Sequence, residues 1–235
     1  MKIIVTGAGG RMGAELRNLL GDELVCGVDP VGEVKNINDY AGEADGIIDF
    51  SFHGAIPDIA DYAVKRGLPL VVCTTGHTPD ELAKINEAAK SVPVFFSANM
   101  CIGIAVLCRL AKEAVKFFPD ADIEIIEKHH NRKLDAPSGT ALMLAKEIAS
   151  VREDAKFVYG RVGQSKREQG EIGIHAVRMG NIVGDHEIIV GTDTQRITLK
   201  HEAVTRAIFA EGALSAMQFL QGKGAGLYDM KDMIK

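Results

Sequence analysis

The sequence predicts an α/β protein in two parts: a doubly wound parallel sheet over about the first hundred residues, then a smaller mixed α+β region. Three observations predict this. Short runs of Ile, Val and Leu, apolar on both faces, alternate with helix-like segments up to about residue 100. A glycine-rich turn joins the first run to the first helix. After residue 100 the pattern changes to one long helix and then to segments resembling antiparallel strands.

Taken in order, KIIVT (2–6) reads as a strand, and the helix after the glycine turn carries Met12, Leu16, Leu19 and Leu20 on one side. Strands follow at LVCGVD (24–29), GIIDF (46–50), LPLVVCT (68–74) and VPVFF (92–96), with helices at 54–66 and 79–90 between them. TPDEL is a helix start: Thr78 is the N-cap, Pro79 takes the first position, and Asp80 and Glu81 face the positive end of the dipole. A helix over 102–118 leads to the strand DIEIIEKHH (122–130), and a helix follows over 139–150. IGIHAVRM (172–179), HEIIVGT (186–192) and QRITLKH (195–201) read as antiparallel strands, and the polar GRVGQSKREQGE (160–171) as a mobile loop. A last amphipathic helix, 204–221, ends near Gly222 and is expected to return to the first part.

The bulk composition excludes several classes. With 46% apolar and 25% charged residues, the 235-residue chain has the mix of a soluble globular protein. A net charge of -5 without a basic stripe argues against nucleic acid. Cys26, Cys73, Cys101 and Cys108 form neither a C-x-x-C pair nor a zinc-like spacing, so they read as reduced buried thiols of a cytoplasmic protein, with no metal expected. The opening MKIIVTG is a strand pattern rather than a secretory leader. Ser91 to Cys108 carries no charge, but Pro93 and the polar Ser97-Ala98-Asn99 break it, so no membrane span is expected.

VTGAGGRMGAEL places Gly7, Gly10 and Gly13 in a G-x-x-G-x-x-G pattern after a strand and at a helix start. Glycines there let the backbone turn tightly and approach a pyrophosphate resting on the helix N-terminus, as in Rossmann-like domains. Asp29 ends the second strand about twenty residues on, where an acid bonds the ribose hydroxyls. A nicotinamide cofactor follows. NADH is favoured over NADPH, because a carboxylate repels a 2′-phosphate and Pro30 offers no compensating charge; Arg11 keeps dual use open. Thr74, Thr75 and the 97–100 loop follow later strands and are placed to face the nicotinamide end.

EKHHNRKLDAPSGTA (127–141) concentrates cations and backbone donors in fifteen residues. His129 and His130 leave a strand end, so their side chains diverge: one serves proton transfer while the other binds or packs. Lys133 adds an ammonium, and Ser138, Gly139 and Thr140 open a helix whose first N–H groups suit an anion. Together they suit a small acidic substrate; the bland alternative is a capped helix after a polar loop. Zinc fits poorly, since adjacent histidines do not easily share one ion and Asp135 reads as a turn residue. His53, His77, His175, His186 and His201 stand apart and read as structural or surface residues.

EKHHNRKLDAPSGTA joined to GAGGRMG resembles the 4-hydroxy-tetrahydrodipicolinate reductase (dihydrodipicolinate reductase) family of lysine biosynthesis. The likeness extends through CTTG, SAN, GIHAVRMGNIVGDH and GLYDM, nearly the whole chain. It implies a dinucleotide-binding domain, 1–102 completed by 204–235, and a substrate-binding and tetramerisation domain, 103–203, whose open mixed sheet builds a homotetramer. It implies that His129 is the acid–base residue and Lys133 the proton donor, with substrate carboxylates on His130, Gly139 and Thr140 and Ser138 nearby. Cofactor contacts would come from Gly7, Ala8, Gly9, Gly10, Arg11 and Met12, then Asp29, then Cys73, Thr74 and Thr75, and then Ser97, Ala98, Asn99 and Met100. The chain departs from the family pattern at Cys73 (commonly Gly), Pro30 (often Arg), Phe52 (Arg in some members) and Met100 (an aromatic). An aldehyde or sugar reductase of similar build would show a Glu-Lys-Pro stretch, which is absent, and a non-catalytic NAD(H) sensor would not need His129, Lys133 and the helix-end anion site together.

Overall fold

The computed structural model describes residues 1–235, and the chain divides into two compact units, Met1–Ile102 with Arg206–Lys235, and Gly103–Thr205.

The first unit alternates strand and helix: β1 Ile3–Thr6, α1 Arg11–Leu20, β2 Leu24–Val28, β3 Gly46–Asp49, α2 Ile56–Arg66, β4 Leu70–Val72, α3 Pro79–Ala88 and β5 Pro93–Phe96. The second unit holds α4 Ile102–Phe117, β6 Asp122–His129, α5 Gly139–Ala149, β7 Lys156–Tyr159, β8 Glu171–Arg178, β9 Gly184–Gly191 and β10 Arg196–Ala203. The chain then re-enters the first unit with α6 Ala207–Leu220, β11 Gly226–Tyr228 and α7 Met230–Met233.

In the first unit six parallel strands run in the order β11-β5-β4-β3-β1-β2. Ile4, Ile47, Leu70, Val72 and Val94 pack on one face against Ile56, Ile59 and Ala63 of α2 and Ile85 and Ala88 of α3. Full burial of each Ile or Leu contributes about 2 kcal/mol. α6 packs against β3, β4, β5 and α1. Thr78 caps α3 in a capping box with Glu81, and Pro79 follows it. Leu19 departs from expectation at 42% exposed. The buried stripe of α1 is Gly13, Leu16 and Leu20, and one position along a helix turns a side chain by about 100°. β11 and α7 carry too short an apolar pattern to be read from sequence; β11 exists because β5 offers it an open parallel edge.

The second unit has a five-stranded sheet in the order β10-β9-β6-β8-β7. β8, β9 and β10 alternate in direction, as expected, but only β9 and β10 are neighbours: β6 lies between β9 and β8, antiparallel to β9 and parallel to β8, and β7 is parallel to β8. A period-two pattern specifies a face and not a neighbour, and the chain from β6 through α5 and β7 is long enough for a parallel crossover. Residues 160–170 form no helix or strand, and from this segment Arg167 pairs with Asp122 and Glu124 while Arg161 pairs with Glu171. α5 packs on β6 and β8, burying Ala141, Leu144, Ala145 and Ile148 on the side of the unit where Ile123 and Ile125 are also buried.

Candidate active site

Every predicted cofactor segment of the first unit lies at the carboxyl end of a strand in one parallel sheet: Gly7 after β1, Asp29 after β2, Cys73 after β4 and Ser97 after β5. β1 sits between β2 and β3, so the chain winds outward in both directions from that point, which is where open α/β sheets bind ligands. Gly7 makes the turn with φ +75°, and a Cβ there would stand 2.3 Å from the Phe50 carbonyl oxygen. Only glycine accepts both the conformation and the contact.

The Asp29 carboxylate leans over this turn, accepting from the Gly9 N–H at 2.9 Å and the Val31 N–H at 3.1 Å. α1 begins with no side-chain cap at Gly10 and no acid in its first turn, which leaves its positive end suited to a pyrophosphate. Gly9, Gly10, Arg11 and Thr75 are exposed and Met12 half-buried, whereas Ala8, Cys73, Thr74 and Met100 are buried. Burial pushes the Cys73 thiol well up, so it stays protonated. Thr74 Oγ1 donates to the Ser51 carbonyl at 3.3 Å, while Ser97 Oγ donates to the Asn99 carbonyl at 2.8 Å and shapes the 97–100 loop. Sequence reasoning passed over Asp49. Its buried carboxylate accepts from Thr6 Oγ1 at 2.6 Å and from the Ser51 N–H at 3.0 Å, tying the ends of β1 and β3 together.

In the second unit β6 alternates strictly, with Ile123, Ile125, Glu127 and His129 all buried. His129 therefore shares the inner face with Glu127, and its Nδ1 lies 2.6 Å from Glu127 Oε2. His130, just past the strand and half-buried, donates its N–H to the Ile182 carbonyl. Lys133 Nζ lies 2.9 Å from Asp135 Oδ1, so Asp135 holds the lysine as well as the turn, and the hydrogen bond from Lys133 holds its carboxyl below the usual range. Ser138 is the N-cap of α5: its Oγ accepts from the Ala141 N–H at 3.2 Å. Gly139 is exposed with open space around it, and no acid stands in the first turn of α5, so the helix end can receive a carboxylate.

Three further residues complete this cluster, and sequence reasoning did not single them out for function. Arg178 of β8 clamps Glu127, Nη1 to Oε2 at 2.7 Å and Nη2 to Oε1 at 2.6 Å. Burial raises the Glu127 carboxyl, but hydrogen bonds from His129, Arg178 and the Ser138 N–H outweigh it and bring it to about 2. His186, read as an isolated histidine, is buried with Nε2 3.2 Å from Ser138 Oγ and its ring 5.3 Å from that of His129. Burial, reinforced by His129, lowers it to about 4, so it is neutral near pH 7. Glu127 was legible as an anomaly, a carboxylate in the inward phase of an alternating strand. Arg178 and His186 join it only through strand pairing.

Residues 1–100 match the family described as "Dihydrodipicolinate reductase, N-terminus", and residues 103–234 match "Dihydrodipicolinate reductase, C-terminus". The chain belongs to the dihydrodipicolinate reductase family. Among its relatives, the 4-hydroxy-tetrahydrodipicolinate reductase of Caldanaerobacter subterraneus subsp. tengcongensis is 46% identical, covering 100% of this chain and 98% of the relative. The Clostridium tetani protein of the same name is 45% identical over 100% and 97%. The fold matches that of the dipicolinate-bound dihydrodipicolinate reductase from Paenisporosarcina sp. TG-14, with TM-score 0.77 and 24% identity, covering 97% of this chain and 96% of that one. The family is one of pyridine-nucleotide-dependent oxidoreductases acting in diaminopimelate and lysine biosynthesis, and this chain is such a reductase. No helix in it is long and apolar enough to cross a membrane.

Proposed function

We propose that the chain reduces 4-hydroxy-tetrahydrodipicolinate to tetrahydrodipicolinate, using NADH at least as well as NADPH. The observation that carries the reading is the cluster in the second unit, where His129, Lys133 and the N-terminus of α5 belong to one loop-and-helix assembly. That assembly suits a small dicarboxylate. His130, Gly139 and Thr140 would hold its carboxylates, with Ser138 setting the helix end that carries two of them. His129 and Lys133 would handle the protons that accompany loss of the hydroxyl, and the Lys133 ammonium would stabilise negative charge developing on the ring.

The first unit would hold the cofactor: the turn from Gly7 to Met12 takes the pyrophosphate and Asp29 the ribose, with the 73–75 and 97–100 loops toward the nicotinamide. Asp29 fits NADH, since its carboxylate stands over the turn and the adjoining Pro30 and Val31 carry no charge to hold a 2′-phosphate. When bound, the nicotinamide supplies the hydride. The resemblance further supports a cytoplasmic homotetramer built through the sheet of the second unit, whose edge strands are β10 and β7.

The test is a coupled assay in which dihydrodipicolinate synthase generates the unstable substrate, run with each cofactor. His129→Gln and Lys133→Ala should each lower kcat by about 100-fold or more while the NADH Kd stays within about twofold. Near-normal turnover in both variants refutes the residue assignment, and a strong preference for NADPH refutes the cofactor assignment.

A further inference from the structure

We propose that Glu127 is a positioning residue for this reaction, fixing the His129 proton on Nδ1 so that Nε2 is the atom that exchanges a proton with substrate. The inference rests on the reading of His129 as the acid–base residue and adds what makes it competent.

Glu127 and His129 are two apart on β6, so they project from the same face. Glu127 is 0% exposed, and its two oxygens receive Arg178 Nη1 and Nη2, the Ser138 N–H and the His129 ring. An ionised carboxylate only accepts hydrogen bonds, so the ring nitrogen 2.6 Å away must donate. In neutral His129 the lone pair is then on Nε2, the nitrogen remote from Glu127. The surroundings of Nε2 agree. A Cβ on Gly184, the first residue of β9, would stand 3.0 Å from Nε2, and glycine leaves that approach clear.

A buried Arg–Glu pair is a poor source of net stability, because desolvation offsets the attraction. Its value here is geometric. Oε1 receives the backbone N–H of Ser138 at 2.9 Å, so the carboxylate that orients the acid–base ring also sets the cap of the helix proposed to receive substrate carboxylates. Arg178 extends the same frame, since its Nη2 donates to the Asp135 carbonyl at 2.7 Å and the Asp135 side chain holds Lys133. One buried ion pair thus places the base, the anion-binding helix end and the lysine in fixed relation.

The decisive measurement is the tautomer of neutral His129 in the full-length wild-type protein, by histidine-selective 15N NMR, with the signal assigned by its loss in His129→Gln. The expected result is a protonated Nδ1 and an unprotonated Nε2. In the coupled assay Glu127→Gln should lower kcat by about 100-fold, leave the NADH Kd within about twofold and mix the two tautomers; Glu127→Asp should recover part of the loss. A wild-type ring protonated on Nε2 overturns the proposal, as does a folded Glu127→Gln protein with kcat within about threefold of wild type. If Glu127→Gln does not fold, the wild-type tautomer alone decides. Wild-type protein without turnover refutes the underlying reductase reading, and the proposal with it.

Discussion

Lowering the pH from 7 to 5 should destabilise the protein through His186, and the amount can be worked from the site. His186 is 4% exposed, and burial, reinforced by His129, His201 and Lys133 and opposed by Glu127, brings it from 6.5 to about 4. Its folded value lies below its unfolded one, so between the two the unfolded chain binds the extra proton. Stability is therefore complete above about 6.5 and declines as the pH falls toward 4. At about 1.4 kcal/mol for each tenfold change in equilibrium, the full loss is about 3 kcal/mol, of which about 2 kcal/mol is reached by pH 5. Glu127, depressed from 4.5 to about 2, titrates in a separate window, and its stabilising contribution is lost only as the pH falls below about 4.5. His186→Gln keeps a polar partner for Ser138 Oγ without a titrating ring. Urea unfolding of both proteins at pH 7 and pH 5 isolates the effect: wild type should lose about 2 kcal/mol more than the variant. Equal losses in the two proteins would show the reasoning to be wrong.

Three other outcomes follow from the same geometry. Asp29→Ser removes the partner of the Gly9 N–H and the proposed ribose acceptor; KM for NADH should rise about tenfold or more with a smaller change for NADPH, and a parallel rise for both would refute the ribose role. Gly7→Ala forces an L side chain into φ +75° and against the Phe50 carbonyl; a loss of about 3 kcal/mol, about 6 to 12 °C in Tm, is expected, and an unchanged Tm would contradict it. Thr78→Ala removes half of the capping box on α3 and should cost about 1 kcal/mol in urea unfolding, against no measurable change if the cap is idle.

Much of this molecule was legible in the residues because the relevant interactions are local. The strand–glycine–helix grammar of residues 2–20 and the Thr78-Pro79 helix start are short-range events, and each appears in the structure where its residues place it. The crowding of His129, His130, Lys133 and the Ser-Gly-Thr cap is likewise a fact about fifteen consecutive residues. Strand neighbours were not legible: β8 shows the same alternation whichever strand it pairs with, and its partner β6 is fixed about fifty residues away. β11 had too few residues to register until β5 offered an edge.

By itself the sequence determined the longer elements, the capped start of α3 and which residue types meet in the histidine loop, since propensity, capping and periodicity act within a few positions; the short β7, β11 and α7 were beyond it. Tertiary structure alone decided how that loop becomes a site. His129 is oriented by Glu127 from its own strand, but Glu127 is kept ionised in the core by Arg178 of β8, and Ser138 meets His186 of β9. Burial and ion pairing set the charge of these groups, and both depend on contacts between residues tens of positions apart, brought together only when the sheet is assembled.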